Sequence, residues 1–453
     1  MSETQSGNVV IVGAGLCGTL LAILLARRGF SVRLFERGTD PRRERAAGGR
    51  SINLALAARG IRALERAGLM EEIRPLLVPM HGRLVHGEDG TTELLPYGQR
   101  EHERIHSVSR AALNRLLIDA AERRRVELRF HHEALGIEPS GNAVRLHDQK
   151  RSRDRLIDSP PIIAADGAGS AIRRALHAAG RLEVTESLLS HGYKELTLPP
   201  APGGTFQLEP NALHIWPRGG FMLIALPNPG GDFTLTLFLP SEGSPGFAEL
   251  EDAEKVEPFF RRYFADVAMR IPELRASFAR NPLGVLGTVR CRRWHEGGDL
   301  LLIGDAAHAI VPFHGQGMNL AFEDCVLLDG ILAEEHDWAA AFERFETEQL
   351  GNANAIADMA LENYVEMRDT VRNPNFALQK ELSFELERRL PDRFIPRYSM
   401  VMFHDEIPYA VAQQRGALQQ ALLDELTRDT GSLQDIDLDA ATALVGERLP
   451  PLV

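Results

Sequence analysis

Gly13, Gly15 and Gly18 are spaced so that a backbone can turn tightly and approach a diphosphate closely. They follow the apolar run Val9–Val12 and precede a helix expected over Thr19–Arg28. A helix N-terminus placed there, with Leu16 at the turn, offers unpaired N–H groups and a positive dipole end to phosphate oxygens. Glu36 closes the next expected strand, Ser31–Glu36. A carboxylate at that position accepts hydrogen bonds from a ribose and repels a 2′-phosphate, which suits FAD or NAD better than NADP. A glycine-rich turn without a ligand is the bland alternative. The strand, helix and acid in register favour a dinucleotide.

A second cluster lies far downstream. Leu300–Ile303 is an apolar run ending at Gly304-Asp305, the kind of strand terminus where ligands bind in open α/β sheets. Asp305 can accept bonds from a sugar-alcohol chain, or it can simply cap a helix. Gly315, Gly317, Met318 and Asn319 lead into a helix expected to begin near Met318. Its dipole would favour an anionic reduced ring system. Ile162–Gly167 is a third stretch of this type, but its Asp166-Gly167 pair reads equally well as a turn.

Other chemistry is thinly supported. Cys17, Cys291 and Cys325 are far apart and make neither a metal spacing nor a disulfide framework. His81 with His86, His131 with His132, and His308 with His314 lack further ligands at workable spacing, so no metal is expected. No Gly-x-Ser-x-Gly elbow stands out. The net charge of -12 makes nucleic acid an unsuitable partner. Val9–Ala26 carries no charge and mimics a membrane span, but its glycines predict strand, turn and buried helix. A cytoplasmic protein without a membrane anchor is expected; the sequence leaves the oligomeric state open, a homodimer being one option.

These residues need a doubly wound scaffold to position them. The fold class expected is α/β: a Rossmann-like FAD-binding domain, an inserted mostly antiparallel sheet domain, and C-terminal helices. The division expected is 1–185 for the first part of the FAD-binding domain, with a substrate-site excursion near 80–105. A sheet domain over 186–283 follows, then the rest of the FAD-binding domain over 284–335. A helical region over 336–453 is expected to cover the substrate site. Ala111–Arg124 has helical periodicity, and Arg145–Asp158 reads as a charged hairpin or loop. The sheet segment holds four strand-like runs, Tyr193–Leu198, Ala212–Trp216, Phe221–Leu226 and Phe233–Leu239, separated by Gly/Pro-rich turns. Along the last, Phe233, Leu235, Leu237 and Leu239 share one face and Thr234, Thr236 and Phe238 the other. Phe238 either lines a pocket or packs as an edge aromatic. Ile224 and Leu226 share a face on the neighbouring run.

The cofactor motifs together resemble the single-component FAD-dependent aromatic hydroxylases. Longer stretches resemble the kynurenine 3-monooxygenases more narrowly: Arg50–Leu56, His191–Leu196, Glu209–Pro217, Val311–Asn319, Leu361–Met367 and Arg393–Met400. The resemblance runs from residue 9 to residue 400. It implies conversion of L-kynurenine, NADPH and O₂ to 3-hydroxy-L-kynurenine, through a flavin C4a-hydroperoxide on non-covalent FAD. This is a step of tryptophan degradation toward quinolinate and NAD. It implies that Arg83 and Tyr97 hold the amino-acid carboxylate, completed by Asn363 and Tyr398. It implies that Ile224, Leu226, Phe238, Pro312, Phe313, His314 and Met367 wall the aromatic ring. Arg37 and Arg110 complete the expected cofactor-binding set. No protein side chain is expected to act as catalytic acid, base or nucleophile. Cys17 departs from the small residue the family often has there. Rival readings are a hydroxylase of phenolic acids and a flavin-binding regulatory protein without hydroxylase activity.

Overall fold

The computed structural model describes residues 7–43, 53–138, 143–158, 161–368 and 374–452. Arg50, Ser51 and Ile52 of the resembling segment lie outside the described residues. The chain forms two compact units, each assembled from three separated stretches. The first takes 1–77, 108–189 and 285–357, and the second 78–107, 190–284 and 358–453. The C-terminal region expected as one segment is thus divided within the helix Trp338–Arg368.

The first unit is built on a six-stranded sheet. Its order is His295–Glu296, Leu300–Leu302, Ile162–Ala164, Asn8–Val12, Ser31–Phe35, Glu127–Arg129. All neighbours are parallel except the first pair. Val9, Val10 and Ile11 are fully buried, as a parallel strand covered on both faces requires. The uncharged stretch from Val9 therefore divides into strand, turn and the helix Leu16–Arg28. That helix starts three residues earlier than its periodicity suggested, because Gly15 rather than Gly18 is its N-cap. It ends at Gly29, whose φ of 98° is the left-handed conformation glycine adopts without strain. The charged segment forms a hairpin, Val144–Asp148 with Arg153–Ile157.

The second unit is organised by a sheet. Its strand order is Val184–Leu198 (from residue 190 on), Phe233–Pro240, Met222–Pro227, Ala212–Pro217, Gly82–His86, Thr92–Pro96. The Val184–Leu198 strand is much longer than the run Tyr193–Leu198 predicts. One face is the core: Leu223, Ala225, Phe233, Leu235, Leu237 and Leu239 pack with Phe259, Phe260, Phe264 and Phe278 of the helices that follow. Each fully buried side chain of this size contributes on the order of 1.5–3 kcal/mol. A one-residue slip would turn that row to the other face, so the alternation fixes the register. Leu378, Leu382, Leu386, Phe394, Leu422, Leu423 and Val445 make a separate core among the C-terminal helices.

Candidate flavin and amino-acid sites

In the first unit the glycine turn is tightly locked. The Gly13 N–H donates to Phe35 O at 2.7 Å. A Cβ on Gly13, whose φ is 106°, would sit 2.3 Å from Ala165 O. One on Gly18 would sit 2.0 Å from Gly13 O. Gly15 differs: a Cβ there would meet nothing within 4 Å. The turn is thus packed on its protein side and open at the uncapped start of the helix. Glu36 accepts from the Ala14 N–H and the Gly38 N–H, both at 2.8 Å. This ties the second strand to the turn and leaves carboxylate lone pairs for further donors.

Asp305 opens the turn Asp305–His308. Burial pushes its carboxyl above the ordinary range, with Arg110 and His308 opposing. The preceding Gly304 is anchored by its N–H to Asp324 Oδ2 at 3.1 Å, and the same oxygen meets His308 Nε2 at 2.8 Å. Gln349 Nε2 donates to Asp324 Oδ1 at 2.9 Å. Burial alone would lower His308, but Asp324 raises it above its usual value. Asn319 lies in the helix Gly317–Ile331. Its side chain accepts from Ala57 N and donates to Ala55 O and Gly315 O, each at 2.9 Å. Arg37 and Arg110 are exposed, Met318 is buried, and Leu16 is buried as the first residue of its helix. Asp166 accepts from Ala171 N at 2.9 Å, capping the helix Ala171–Ala178. Phe313 and His314 are buried and Pro312 is exposed.

The second unit holds a compact polar group on the sheet face opposite its core. The register aligns Arg83 with Leu213, Ile215 with Ile224, Ile224 with Thr236, and Met222 with Phe238. Arg83, Ile224, Leu226 and Phe238 therefore share one face. Tyr97 follows the edge strand, its N–H bonded to His81 O at 2.9 Å. Arg83 Nη1 lies 2.8 Å from Glu366 Oε1, and Nη2 lies 3.2 Å from Asn363 Oδ1. The guanidinium carbon stands 4.9 Å above the Tyr398 ring. The Tyr97 and Tyr398 rings stack at 5.3 Å. Burial alone would lower Arg83, but Tyr398, Glu366 and Tyr97 raise it above the usual arginine range. Burial raises both tyrosines, aided in Tyr97 by Tyr398 and opposed in Tyr398 by Arg83. Arg83 Nε and the Tyr97 hydroxyl are buried without a hydrogen bond of good geometry. Asn363, Glu366 and Met367 occupy one face of the helix Trp338–Arg368, and Asn363 Nδ2 lies 3.3 Å from Met367 Sδ. The arrangement can hold an anion and a cation side by side.

Known proteins place this architecture. Residues 6–359 match the family described as FAD binding domain. Kynurenine 3-monooxygenase of Stenotrophomonas maltophilia (strain K279a) is 48% identical, covering 100% of this chain and 99% of the relative. That of Myxococcus xanthus (strain DK1622) is 46% identical, covering 100% and 98%. The chain belongs to the kynurenine 3-monooxygenase family. A tetrameric form of 2-methyl-3-hydroxypyridine-5-carboxylic acid oxygenase shares the fold of this family member. Its TM-score is 0.64 at 21% identity, covering 83% of this chain and 96% of that one.

The first unit fits the FAD that this family binds. The open face at Gly15 suits the pyrophosphate, Glu36 has acceptor capacity for the ribose, and half-buried Asp305 suits a polyol chain. Among the described residues no group of three or more His, Cys, Asp or Glu could hold a metal, and no helix is long and apolar enough to cross a membrane. The structure brings Arg83, Tyr97, Asn363 and Tyr398 together. Sequence reasoning missed Glu366 as a site residue. Its only signal was an acid three positions after Asn363, which on a helix falls on the same face.

Proposed function

We propose that this protein is an FAD-dependent monooxygenase that hydroxylates L-kynurenine to 3-hydroxy-L-kynurenine with NADPH and O₂, in tryptophan degradation toward quinolinate and NAD. The observation that carries the substrate reading is the Arg83–Glu366–Asn363 group with a buried donor, Arg83 Nε, that lacks an acceptor. A buried donor without an acceptor is costly, by about 1–3 kcal/mol. An α-carboxylate supplies that acceptor. Glu366, already 26% exposed at its side chain, can turn one oxygen to the α-ammonium. A phenolic acid has no ammonium for Glu366, which favours an amino acid over that rival.

FAD, when bound, supplies the oxygen-transfer chemistry. The chain's own residues orient and desolvate. Arg83 is the planar fork that fixes the carboxylate, and the Tyr398 ring beneath it limits the fork to one plane. Asn363 steadies Arg83 Nη2 and Met367. Ile224, Leu226, Phe238 and Met367 are assigned to the aromatic ring. Pro312, Phe313 and His314 take the same role on the strength of their motif. Gly13, Gly15, Leu16, Gly18, Glu36, Arg37, Arg110, Asp305, Gly315, Gly317, Met318 and Asn319 are assigned to the cofactor. The substrate's own aryl amine activates the neighbouring ring carbon, so no side-chain base is required.

The test is NADPH oxidation by FAD-loaded protein with L-kynurenine and with phenolic acids, the product identified by mass. Stimulation and hydroxylation with kynurenine alone are expected. Hydroxylation of a phenolic acid in its place, or a yellow protein that turns over neither, overturns the assignment.

A further inference from the structure

Cys17 and Cys325 are 308 positions apart, yet their sulfurs are 3.7 Å apart. Cys17 is the second residue of the helix Leu16–Arg28, inside the Gly13–Gly18 turn, and Cys325 is midway along Gly317–Ile331. Both thiols lean on one carbonyl, Ala321 O, at 3.6 Å and 3.2 Å. Cys325 Sγ also lies 3.4 Å from Cys17 O. Cys325 is buried and Cys17 is half-buried. The third cysteine, Cys291, is buried on another strand.

We propose that Cys17 and Cys325 are an oxidative modification site: hydrogen peroxide closes a reversible disulfide between them, and the closed form holds FAD less tightly. The inference rests on FAD binding by this fold and not on the identity of the substrate. Hydrogen peroxide is the side product when reduced flavin reacts with O₂ without hydroxylation, so the oxidant arises beside the pair.

The steps balance. The Cys17 thiolate sulfur attacks one peroxide oxygen and the O–O bond breaks. Cys17 becomes a sulfenic acid, and the departing hydroxide takes up the proton Cys17 had released, leaving as water. The Cys325 sulfur then attacks the Cys17 sulfur. The S–S bond forms, the S–O bond breaks, and a second water leaves with the Cys325 proton. Two thiols lose two electrons and two protons; the peroxide gains both. A dithiol reductant reverses the change.

The neighbourhood sets a slow pace. The Cys325 contact, burial, and Asp324 and Asp305 hold the Cys17 thiol well above the usual cysteine range. Little thiolate is present at neutral pH, so the pair responds to sustained peroxide rather than to single escapes.

Closure has a mechanical consequence. A disulfide needs sulfurs about 2.05 Å apart, so the first turn of the Cys17 helix must shift toward the other helix. That turn has little slack. A Cβ on Gly18 would already sit 2.0 Å from Gly13 O, and one on Gly304 would sit 2.9 Å from Cys17 Sγ. The shift misaligns the N–H groups at Gly15. Losing one charge-assisted bond to a phosphate weakens FAD by roughly tenfold or more.

The experiment treats FAD-loaded full-length protein with hydrogen peroxide, then denatures it and alkylates the remaining thiols. Intact mass should show alkylated cysteines falling from three to one, and digestion should yield a peptide joining Cys17 to Cys325. FAD retained on ultrafiltration should fall in step and return with dithiothreitol plus FAD. Cys325→Ala should form no internal link. Three surviving thiols, a link through Cys291, or an overoxidised cysteine without a link overturns the site. A linked protein that keeps FAD as well as the reduced form overturns the consequence. None of these readouts needs kynurenine, so their failure is distinct from a failure of the substrate assignment.

Discussion

Replacing Arg83 with methionine removes the fork while keeping an unbranched apolar stem over the Tyr398 ring. Arg83 is 7% exposed at its side chain and carries bonds to Glu366 at 2.8 Å and Asn363 at 3.2 Å. Truncating one partner of a buried charge pair costs about 2–5 kcal/mol, much of it from the charge left behind. Two charges lose their partner here, the substrate carboxylate and Glu366. Glu366 is 26% exposed and can turn to water, so the lower half of that range applies. At about 1.4 kcal/mol per tenfold, KM for L-kynurenine should rise by roughly 30–300-fold. Arg83→Lys should recover only part of this, because an ammonium cannot bond in two places along one plane. Initial rates of 3-hydroxykynurenine formation give KM, and flavin absorbance per protein gives cofactor content. FAD content should hold, because the glycine turn, Glu36 and Asp305 belong to the other unit. A KM within about threefold of the parent, or FAD lost in parallel with binding, would refute the reasoning.

Glu36→Ala strands the Ala14 and Gly38 N–H groups and removes the ribose acceptor. FAD affinity should fall roughly tenfold or more by fluorescence titration, and unchanged affinity takes Glu36 out of the site. Asn319→Ala breaks three bonds of 2.9 Å that join Ala55, Ala57 and Gly315. Stability should drop by about 2–4 kcal/mol in urea unfolding, whereas under about 1 kcal/mol would mean that water replaces the amide without loss. Lys380 is pushed down to about 7 by burial and by Arg83, against Glu366 and Glu93. Its folded value lies below its unfolded one, so charging it opposes folding fully below about pH 7. The penalty fades as pH rises toward the ordinary lysine range near 10.4. Lys380→Met should therefore raise Tm most at pH 6 and least near pH 10; a gain independent of pH would mean that the lysine is solvated in the fold.

The cofactor half of the fold was readable because its signals are local. Gly13, Gly15, Gly18 and Glu36 lie within one strand–helix–strand unit, and their spacing states what the backbone must do. The two faces of Phe233–Pro240 were readable for the same reason, since a period of two survives in a single strand. The helix boundary at Leu16 was not, because glycines mask the first turn. The parallel pairing of Gly82–His86 with Ala212–Pro217 left no mark in either segment. Arg83 on its own resembles any surface arginine, and only family resemblance marked it. Glu366 sat within a recognised motif, yet its meaning depends on a partner 283 positions away. Such pairings are set by the assembled sheet rather than by neighbours in sequence.

The same separation governs how the protein is made. Arg83 leaves the ribosome in a strand whose hairpin partner, Thr92–Pro96, follows at once, but its other partner strand, Ala212–Pro217, comes far later. Glu366 and Tyr398 come later still. At about 5–20 residues per second, the 283 positions between Arg83 and Glu366 take roughly 15–60 s to synthesise. Until Ala212–Pro217 and the strands after it emerge, the hairpin Gly82–His86 with Thr92–Pro96 has no sheet to join, and unpaired edges invite association with other chains. The amino-acid clasp is thus among the last structures to form. Nascent chains of this protein should depend on chaperones that shield early strands, and fragments ending before residue 398 should accumulate as aggregates rather than as half-built enzymes.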